Sequence, residues 1–526
     1  MARWIDRLTE TVAKSEAEGL AVGGSAGWWQ SRWLWLALAA VSVLPFLLSP
    51  LPPLGDLFSH IGRYHIMLDG RRSPYLSRYF HFQWDLIPNL GQDLLVLAVA
   101  PLMGAERAGI FLSALIPPLM ILLMRELSKA AHGAVQPTAL LALPFVYSFT
   151  YLYGFMNYHT GVVVVLAAML VWLRARDWRP VPRIALLALI SLVAWVAHMS
   201  AWAILLVAIG SFELVVAVNR HGWSPKRVVA QVLPTMLPMV LPGLITLARY
   251  SPDAVTAAKP SLFLWLYYLK FYWLTFPLRD ESKLLDLASL LFIAAVPALL
   301  FAVRRLRLDA GLALAAAIVF ALFWVVPTDL MGGFYADMRL LPVFWIFFLL
   351  ACRGRWANRR QAQIVALAAL ALFGVRMAVT THAWIVRGAS LQAELGALDH
   401  VPVGARIAHL SPERKCKSWH NTGIHHLASL GIVRRDAFVS SEWDIPGQQL
   451  MQPTYLRGSV YNINALMNPP GQDCGGYTAE AWLAGLPRDR FDFVWLFSAP
   501  APGDTRDWLE PVYRGPTGTL YRIVHH

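Results

Sequence analysis

Leu51-Pro-Pro-Leu-Gly-Asp56-Leu-Phe-Ser-His60-Ile-Gly-Arg63-Tyr-His65 follows directly on an apolar run from about Trp33 to Pro50. A bilayer takes about 20 apolar residues to cross as a helix. The run therefore reads as a first membrane span, and the stretch after it as the first segment to emerge. That places an acid, two histidines and an arginine within a few residues of a membrane surface. An ionisable group at such a boundary is costly unless it is paired, solvated or used. Asp56 reads as the marker of an active site at the mouth of a transmembrane bundle.

Composition supports the bundle. The 526 residues are 57% hydrophobic and only 15% charged, with a mean hydropathy of +0.49. An ordinary soluble chain carries about 25% charged residues. The chain is read as mainly α, a polytopic transmembrane helix bundle. The net charge of +13 calls for no nucleic acid, because Lys and Arg collect in the cytoplasmic loops of membrane proteins. Residues 1–32 form a polar tail of mixed charge, with no small-residue cleavage site after the first apolar run.

Eleven stretches pass the length criterion: 33–50, 108–124, 137–153, 160–173, 184–199, 201–218, 230–248, 286–303, 310–327, 338–352 and 362–380. The apolar piece 94–103 is short and reads as interfacial or re-entrant. With that piece excluded, the loops holding Arg125/Lys129, Arg174 to Arg183, Arg220 to Arg227, Arg304 to Arg307 and Arg353 to Arg360 fall on one side with the N-terminus. The rule that basic loops stay inside then predicts a cytoplasmic N-terminus. It also predicts an outer C-terminus and an outer loop over 51–107. The transmembrane domain spans 33–387. One long apolar run must be split around His198-Met199-Ser200. Residues 388–526 differ in kind, with turns, charges and strand-like runs at Ala405–Leu410, Phe491–Phe497 and Thr519–Val524. They read as a C-terminal mixed α/β extracytoplasmic domain. Its Cys416 and Cys474 either bridge in an oxidising compartment or stay as two free thiols.

This topology gathers Asp56, His60, Arg63, Asp85, Asn157, His159, His198, Asp337 and Arg339 onto the outer face. Asp56 reads either as a general base in a half-desolvated cleft or as the N-cap of a helix over 58–68. His60 and Arg63 follow it at i+4 and i+7, one helix face. That suits an acid–base group beside a phosphate-binding cation, or an ordinary interfacial helix with its polar side in water. In Trp84-Asp-Leu-Ile-Pro-Asn-Leu-Gly-Gln-Asp93, Asp93 serves as a helix N-terminal charge, and Asp85 is the second candidate acid. Asn157 and His159 close one outer turn and His198 another. Each is a substrate contact or a hydrogen-bonded structural residue. Asp337 and Arg339 precede a span, as a local ion pair or as a guanidinium that clamps phosphate. Lys270 lies in an interfacial aromatic segment. No cofactor is called for. Two carboxylates with histidines can hold a divalent cation, but no spacing here is diagnostic of a metal. The absence of G-x-x-x-x-G-K-[ST], G-x-S-x-G and H-E-x-x-H leaves ATP-driven transport and zincin chemistry without support.

A first span, an acid at its outer end, an outer loop with interfacial helices, many further spans and a C-terminal outer domain resemble the GT-C superfamily of integral-membrane glycosyltransferases. The bacterial mannosyl- and aminoarabinosyl-transferase branch is the most similar. Architecture carries the resemblance over most of residues 33–380, and its motif is short. It implies an inverting transfer of a sugar from a polyprenyl-phosphate donor to an envelope lipid, glycan or protein. The enzyme would be multi-pass in a bacterial inner membrane, with lipid as a partner. Asp56 matches the family's catalytic acid, and Arg63 or Arg339 would hold the leaving phosphate. Many members carry Asp-Glu at this point. This chain has Asp56-Leu57, so the second acid comes from elsewhere, with Asp85 the candidate, or is missing. The rival readings are a polytopic transporter and a non-catalytic cell-envelope assembly protein. Transporters place their acids at the midplane, whereas these polar residues cluster at one surface.

Overall fold

The computed structural model describes residues 27–248, 267–328, 330, 335–411, 419–420, 423–442, 449–456, 479–497 and 507–524. Cys416 and Cys474 lie outside the described residues, so their pairing does too.

Among the described residues, seven helices are long and apolar enough to cross a membrane. They belong to a series that also includes shorter helices. In chain order the series runs α1 (Arg32–Leu48), α2 (Leu57–Asp69), α3 (Gly91–His132), α4 (Met156–Arg174), α5 (Pro180–Ala197), α6 (Met199–His221) and α7 (Pro225–Ala248). It continues with α8 (Tyr267–Trp273), α9 (Lys283–Ala302), α10 (Ala310–Val325), α11 (Leu340–Ala351) and α12 (Arg359–Glu394). The seven are α3 to α7, α9 and α12. Four shorter apolar stretches, α1, residues Pro137–Leu152, α10 and α11, occupy the remaining expected positions. The segment Pro137–Leu152 departs most from the expected span. Pro137–Tyr147 winds as a 3-10 helix with Pro144 inside it, and every one of its residues is buried. It lies in the bundle interior, where side chains rather than lipid surround it.

Local chemistry sets the breaks. Helix α3 is interrupted at Gly104, with φ 82° and ψ 163°, a conformation that glycine reaches at little cost. The apolar piece 94–103 is thereby a separate rod from the helix over 108–124. The run around residue 198 divides at His198, whose backbone is extended. His198 Nδ1 accepts from Ser200 N and caps α6.

Among the described residues, the C-terminal region holds a five-stranded sheet and two short helices, Leu430–Arg435 and Ala479–Ala484. Its strands are β4 (Arg406–Leu410), β5 (Phe438–Val439), β7 (Phe493–Phe497), β8 (Leu509–Arg514) and β9 (Gly518–Ile523), in the order β5-β4-β7-β9-β8. Pairs β5-β4 and β4-β7 are parallel, and the other two are antiparallel. The first of these, α13 (Leu430–Arg435), packs between this sheet and α2. Two further antiparallel pairs knit the molecule. Strand β1 (Phe80–Phe82) pairs with β6 (Met451–Pro453), tying the loop after α2 to the C-terminal region. Strand β2 (Leu306–Leu308) pairs with β3 (Cys352–Gly354) at the other end of the bundle, where Arg307 and Arg353 face each other in register. Helix α12 runs from the bundle into the domain and ends at Glu394. The Glu394 carboxylate is fully buried and accepts from Trp495 Nε1, Thr517 N and Gly518 N.

Helix α2 does not lie with its polar side in water. Ser59, His60 and Arg63 are buried along with Leu57, Phe58, Ile61 and Tyr64. A Cβ on Gly109 of α3 would meet Ile61 at 2.8 Å, and one on Gly62 would meet the Ser429 carbonyl at 3.3 Å. The helix is clamped between the bundle and the C-terminal domain, so its polar groups need protein partners.

Candidate functional site

Asp56 closes the extended segment between α1 and α2. Its backbone is held by the turn after the buried 3-10 segment: Gly55 N donates to Leu152 O and Asp56 N to Tyr153 O at 2.9 Å. Gly154 follows with φ 96°, and a Cβ there would lie 2.4 Å from Asp56 N. The turn can approach this closely only because residue 154 has no side chain. Asp56 occupies the N-cap position of α2, but its side chain makes no capping hydrogen bond. Its carboxylate is half-buried and instead faces His426, with Nε2 3.8 Å from Oδ1.

Among the described residues, three further charged or titratable groups surround this carboxylate electrostatically. Arg339 and the hydroxyls of Tyr153 and Tyr335 each interact with Asp56. Arg339 interacts in turn with His198, His198 with His60, and His60 with His426. The ring of groups closes on itself, from Asp56 through Arg339 and three histidines back to Asp56. Burial, with the positive charge of Arg63 behind it, pushes the His60 imidazole well below its ordinary range. His60 is therefore neutral and adds no competing cation.

Arg339 sits directly before α11. Its Nη1 lies 2.7 Å from His198 Nε2, and its guanidinium stacks over Phe155 at 4.3 Å and Tyr158 at 5.7 Å. Tyr158 Oη donates to the Arg339 carbonyl at 2.6 Å and fixes the segment. Tyr335, with φ 57°, packs on Tyr153 at 5.4 Å. A bulky residue at positive φ is uncommon and strained.

Several expected site residues are otherwise engaged. Arg63 donates through Nε and Nη2 to both oxygens of Asp93, each at 2.9 Å, in a pair only 3% exposed. Asp93 is thus an ion-pair partner rather than a plain helix charge. Asn157 accepts from Gln92 N and donates to Asn89 O and to Asp93 Oδ2. It holds the start of α3. His159 Nε2 bonds Thr150 Oγ1 at 3.0 Å, with its ring against Tyr151 and Tyr158. Asp337 does not pair with Arg339. It meets Lys270 at 3.2 Å and accepts from Met338 N. Lys270 turns inward from α8 and donates to the carbonyls of Phe323 and Val326. Asp85 is exposed in the loop before α3, where Oδ1 accepts from Leu86 N. Among the described residues, no group of three or more His, Cys, Asp or Glu is placed to hold a metal ion.

Sequence reasoning missed His426 and Glu442. Glu442 Oε2 accepts from Ser59 Oγ at 2.9 Å across the domain boundary. Burial pushes its carboxyl up to about 7, against the opposing pull of Ser429, Ser59 and Arg63. Both residues lie some 370 or more positions after the residues they meet, and no local spacing announces such a pairing.

The fold is that of a multi-pass helical membrane protein whose first loop and C-terminal mixed α/β region meet around Asp56. Two solved structures of ArnT from Cupriavidus metallidurans share this fold. The one bound to undecaprenyl phosphate is 11% identical with a TM-score of 0.51, and the apo one is 12% identical with a TM-score of 0.53. Each match covers 93% of this chain and 97% of that chain. The likeness is one of fold. No family model and no curated protein matches the sequence.

Proposed function

We propose that the protein transfers a sugar from a polyprenyl-phosphate donor to a hydroxyl of an envelope acceptor, with inversion, at the face where the C-terminal domain meets the bundle. Asp56 takes the acceptor proton as the new bond to the anomeric carbon forms. The bond from that carbon to the lipid phosphate breaks, and the phosphate leaves with the electron pair. Asp85 remains the second candidate acid, in a loop open to solvent.

The observation that carries this reading is the placement of Arg339 beside Asp56. The two interact electrostatically, Arg339 Nη1 lies 2.7 Å from His198 Nε2, and an Arg guanidinium suits phosphate in geometry and charge. Arg63, committed to Asp93, is replaced in that role by Arg339. The fold likeness to a protein crystallised with undecaprenyl phosphate adds support for the donor class. A lipid-linked donor needs no nucleotide site, since its tail stays in the bilayer and its headgroup reaches the mouth.

The test is mass spectrometry of envelope glycans and lipid-linked sugars with and without the gene. Loss of one glycosylated species and accumulation of its lipid-linked donor are expected. Unchanged profiles of both would remove the enzyme reading in favour of a transporter or an assembly protein.

A further inference from the structure

We propose that His426, supplied by the C-terminal domain, is a positioning residue for Asp56: its Nε2–H is directed at Oδ1 and aims the other carboxylate oxygen at the acceptor hydroxyl. This rests on the sugar-transfer reading and deepens it, making the C-terminal domain part of the active site.

The placement is built rather than incidental. His426 is 3% exposed and Asp56 13% exposed, so their 3.8 Å separation is screened from bulk water. Gly423, with φ 72°, brings its segment within contact of Pro53, where a Cβ would lie 3.0 Å from the Pro53 Cα. Ser429 N donates to the His426 carbonyl at 3.0 Å, closing a tight turn. One helical turn beyond Asp56, Ser59 bonds Glu442. The domain thus grips both Pro53 and Ser59, on either side of the acid, and carries His426 between those grips. The Nε2–Oδ1 separation exceeds a hydrogen bond by about 1 Å. Such contacts are often long before substrate arrives and shorten in the reacting complex. Among the described residues, the other titratable or charged groups facing the pair include His60 on α2, Tyr153 on the turn before α4, and Tyr335 and Arg339 before α11.

The step balances without a proton on His426 changing place. The acceptor O–H breaks and its proton goes to Asp56 Oδ2. The acceptor oxygen bonds the anomeric carbon, and the lipid phosphate takes the electron pair of the bond that breaks. His426 donates to Oδ1 throughout, fixing the rotamer of the carboxylate and favouring its ionised form before the transfer.

The experiment compares full-length wild type with His426→Gln, His426→Leu and Asp56→Asn in native host membranes. Release of polyprenyl phosphate from the endogenous lipid-linked sugar is followed against pH. Gln keeps a donor near the place of Nε2 and is expected to retain activity within a few-fold. Leu is expected to lower kcat on the order of 10²-fold, the cost of a misplaced reacting group, with KM unchanged. The acid limb of the His426→Leu rate profile is expected to move up by about one pH unit, because the carboxylate loses a partner that favoured its charged form. A second readout is independent of turnover: histidine NMR of the labelled full-length chain in nanodiscs, with His426 assigned through His426→Gln. Asp56→Asn is expected to lower the His426 titration midpoint by about one pH unit, since a negative charge is removed beside it. Wild-type kcat and acid limb in His426→Leu, with Asp56→Asn inactive, would overturn the proposal and leave sugar transfer standing. Activity in Asp56→Asn would overturn the transfer mechanism itself. A His426 midpoint indifferent to Asp56→Asn would overturn the proposal whatever the turnover shows, including where His426→Leu fails to fold.

Discussion

Asp56 is held by its backbone, and its side chain contributes no cap to α2. Asp56→Asn, nearly the same in shape, is therefore expected to leave insertion and thermal stability unchanged. As loss of a general base it should lower sugar transfer by about 10²–10⁴-fold. Transfer assays on purified variant with a matched melting curve check both halves. Gly154 offers the opposite test, because it acts on Asp56 without touching chemistry. An alanine there meets a positive φ and a Cβ 2.4 Å from Asp56 N. Gly154→Ala is expected to cost more than about 1 kcal/mol and to lower transfer by shifting Asp56. A crystal or cryo-electron structure of the variant would show the 54–57 segment displaced; an unmoved segment with full activity would refute the account. At this scale topology alone was enough to expect Asp56, His198 and Arg339 on one face, because each follows or precedes an expected span on that side. His426 was not, because it lies in a domain whose orientation over the mouth is a property of the fold.

Helix α2 is the element on which bundle and domain meet. Its Arg63 pairs with Asp93 of α3 at 3% exposure. Breaking such a pair strands a buried charge and typically costs about 3–5 kcal/mol, whereas replacing both partners by apolar groups is often neutral. Arg63→Met is therefore expected to lower the melting temperature sharply, and Arg63→Met with Asp93→Leu to recover much of the loss. A melting curve of each decides. If Arg63→Met melted as wild type does, Arg63 would again be available for phosphate. On the other side of α2, the Glu442 carboxyl is raised by burial from an ordinary value of 4.5 to about 7. The folded state then binds more protons than the unfolded one between those two values, so this group's contribution to stability falls as pH rises through that window. Above it the cost of burying the charge is complete, roughly 3 kcal/mol for the shift in question. Glu442→Gln is expected to flatten the pH dependence between about 4.5 and 7 and to raise stability above it. Parallel pH–melting curves that differ by a constant offset would refute this.

Across the whole molecule, the basic loops and the candidate site lie at opposite ends of the bundle. Arg307 and Arg353 pair in β2–β3 at one end, and Asp56 meets His426 at the other. With basic loops kept inside, the C-terminal domain is expected outside. A phosphatase reporter fused after residue 526 should be active and a cytoplasmic reporter inactive; the reverse result would invert the whole topology and place any transfer on the inner face. The β1–β6 pair, the Ser59–Glu442 bond and the Arg434–Glu106 bond all tie the domain to the bundle. That geometry agrees with a site completed by both.

The sequence by itself determined the material of this protein: apolar runs of spanning length, the separation of 94–103 from 108–124, the split at His198, the short strands after residue 400, and an acid at the end of the first run. These are local properties, set by hydropathy, backbone freedom and proline, and each is written within about 20 residues. The tertiary structure alone decided which polar group meets which. Arg63, Asn157, Asp337 and Arg339 look alike in sequence, yet the fold sets them against Asp93, against Asn89 and Gln92, against Lys270 and against His198. It brought His426 and Glu442 to α2 from the far end of the chain. The reason is that a buried polar group must find its partner wherever packing places one, and hydropathy records that the group is polar without recording what it will meet.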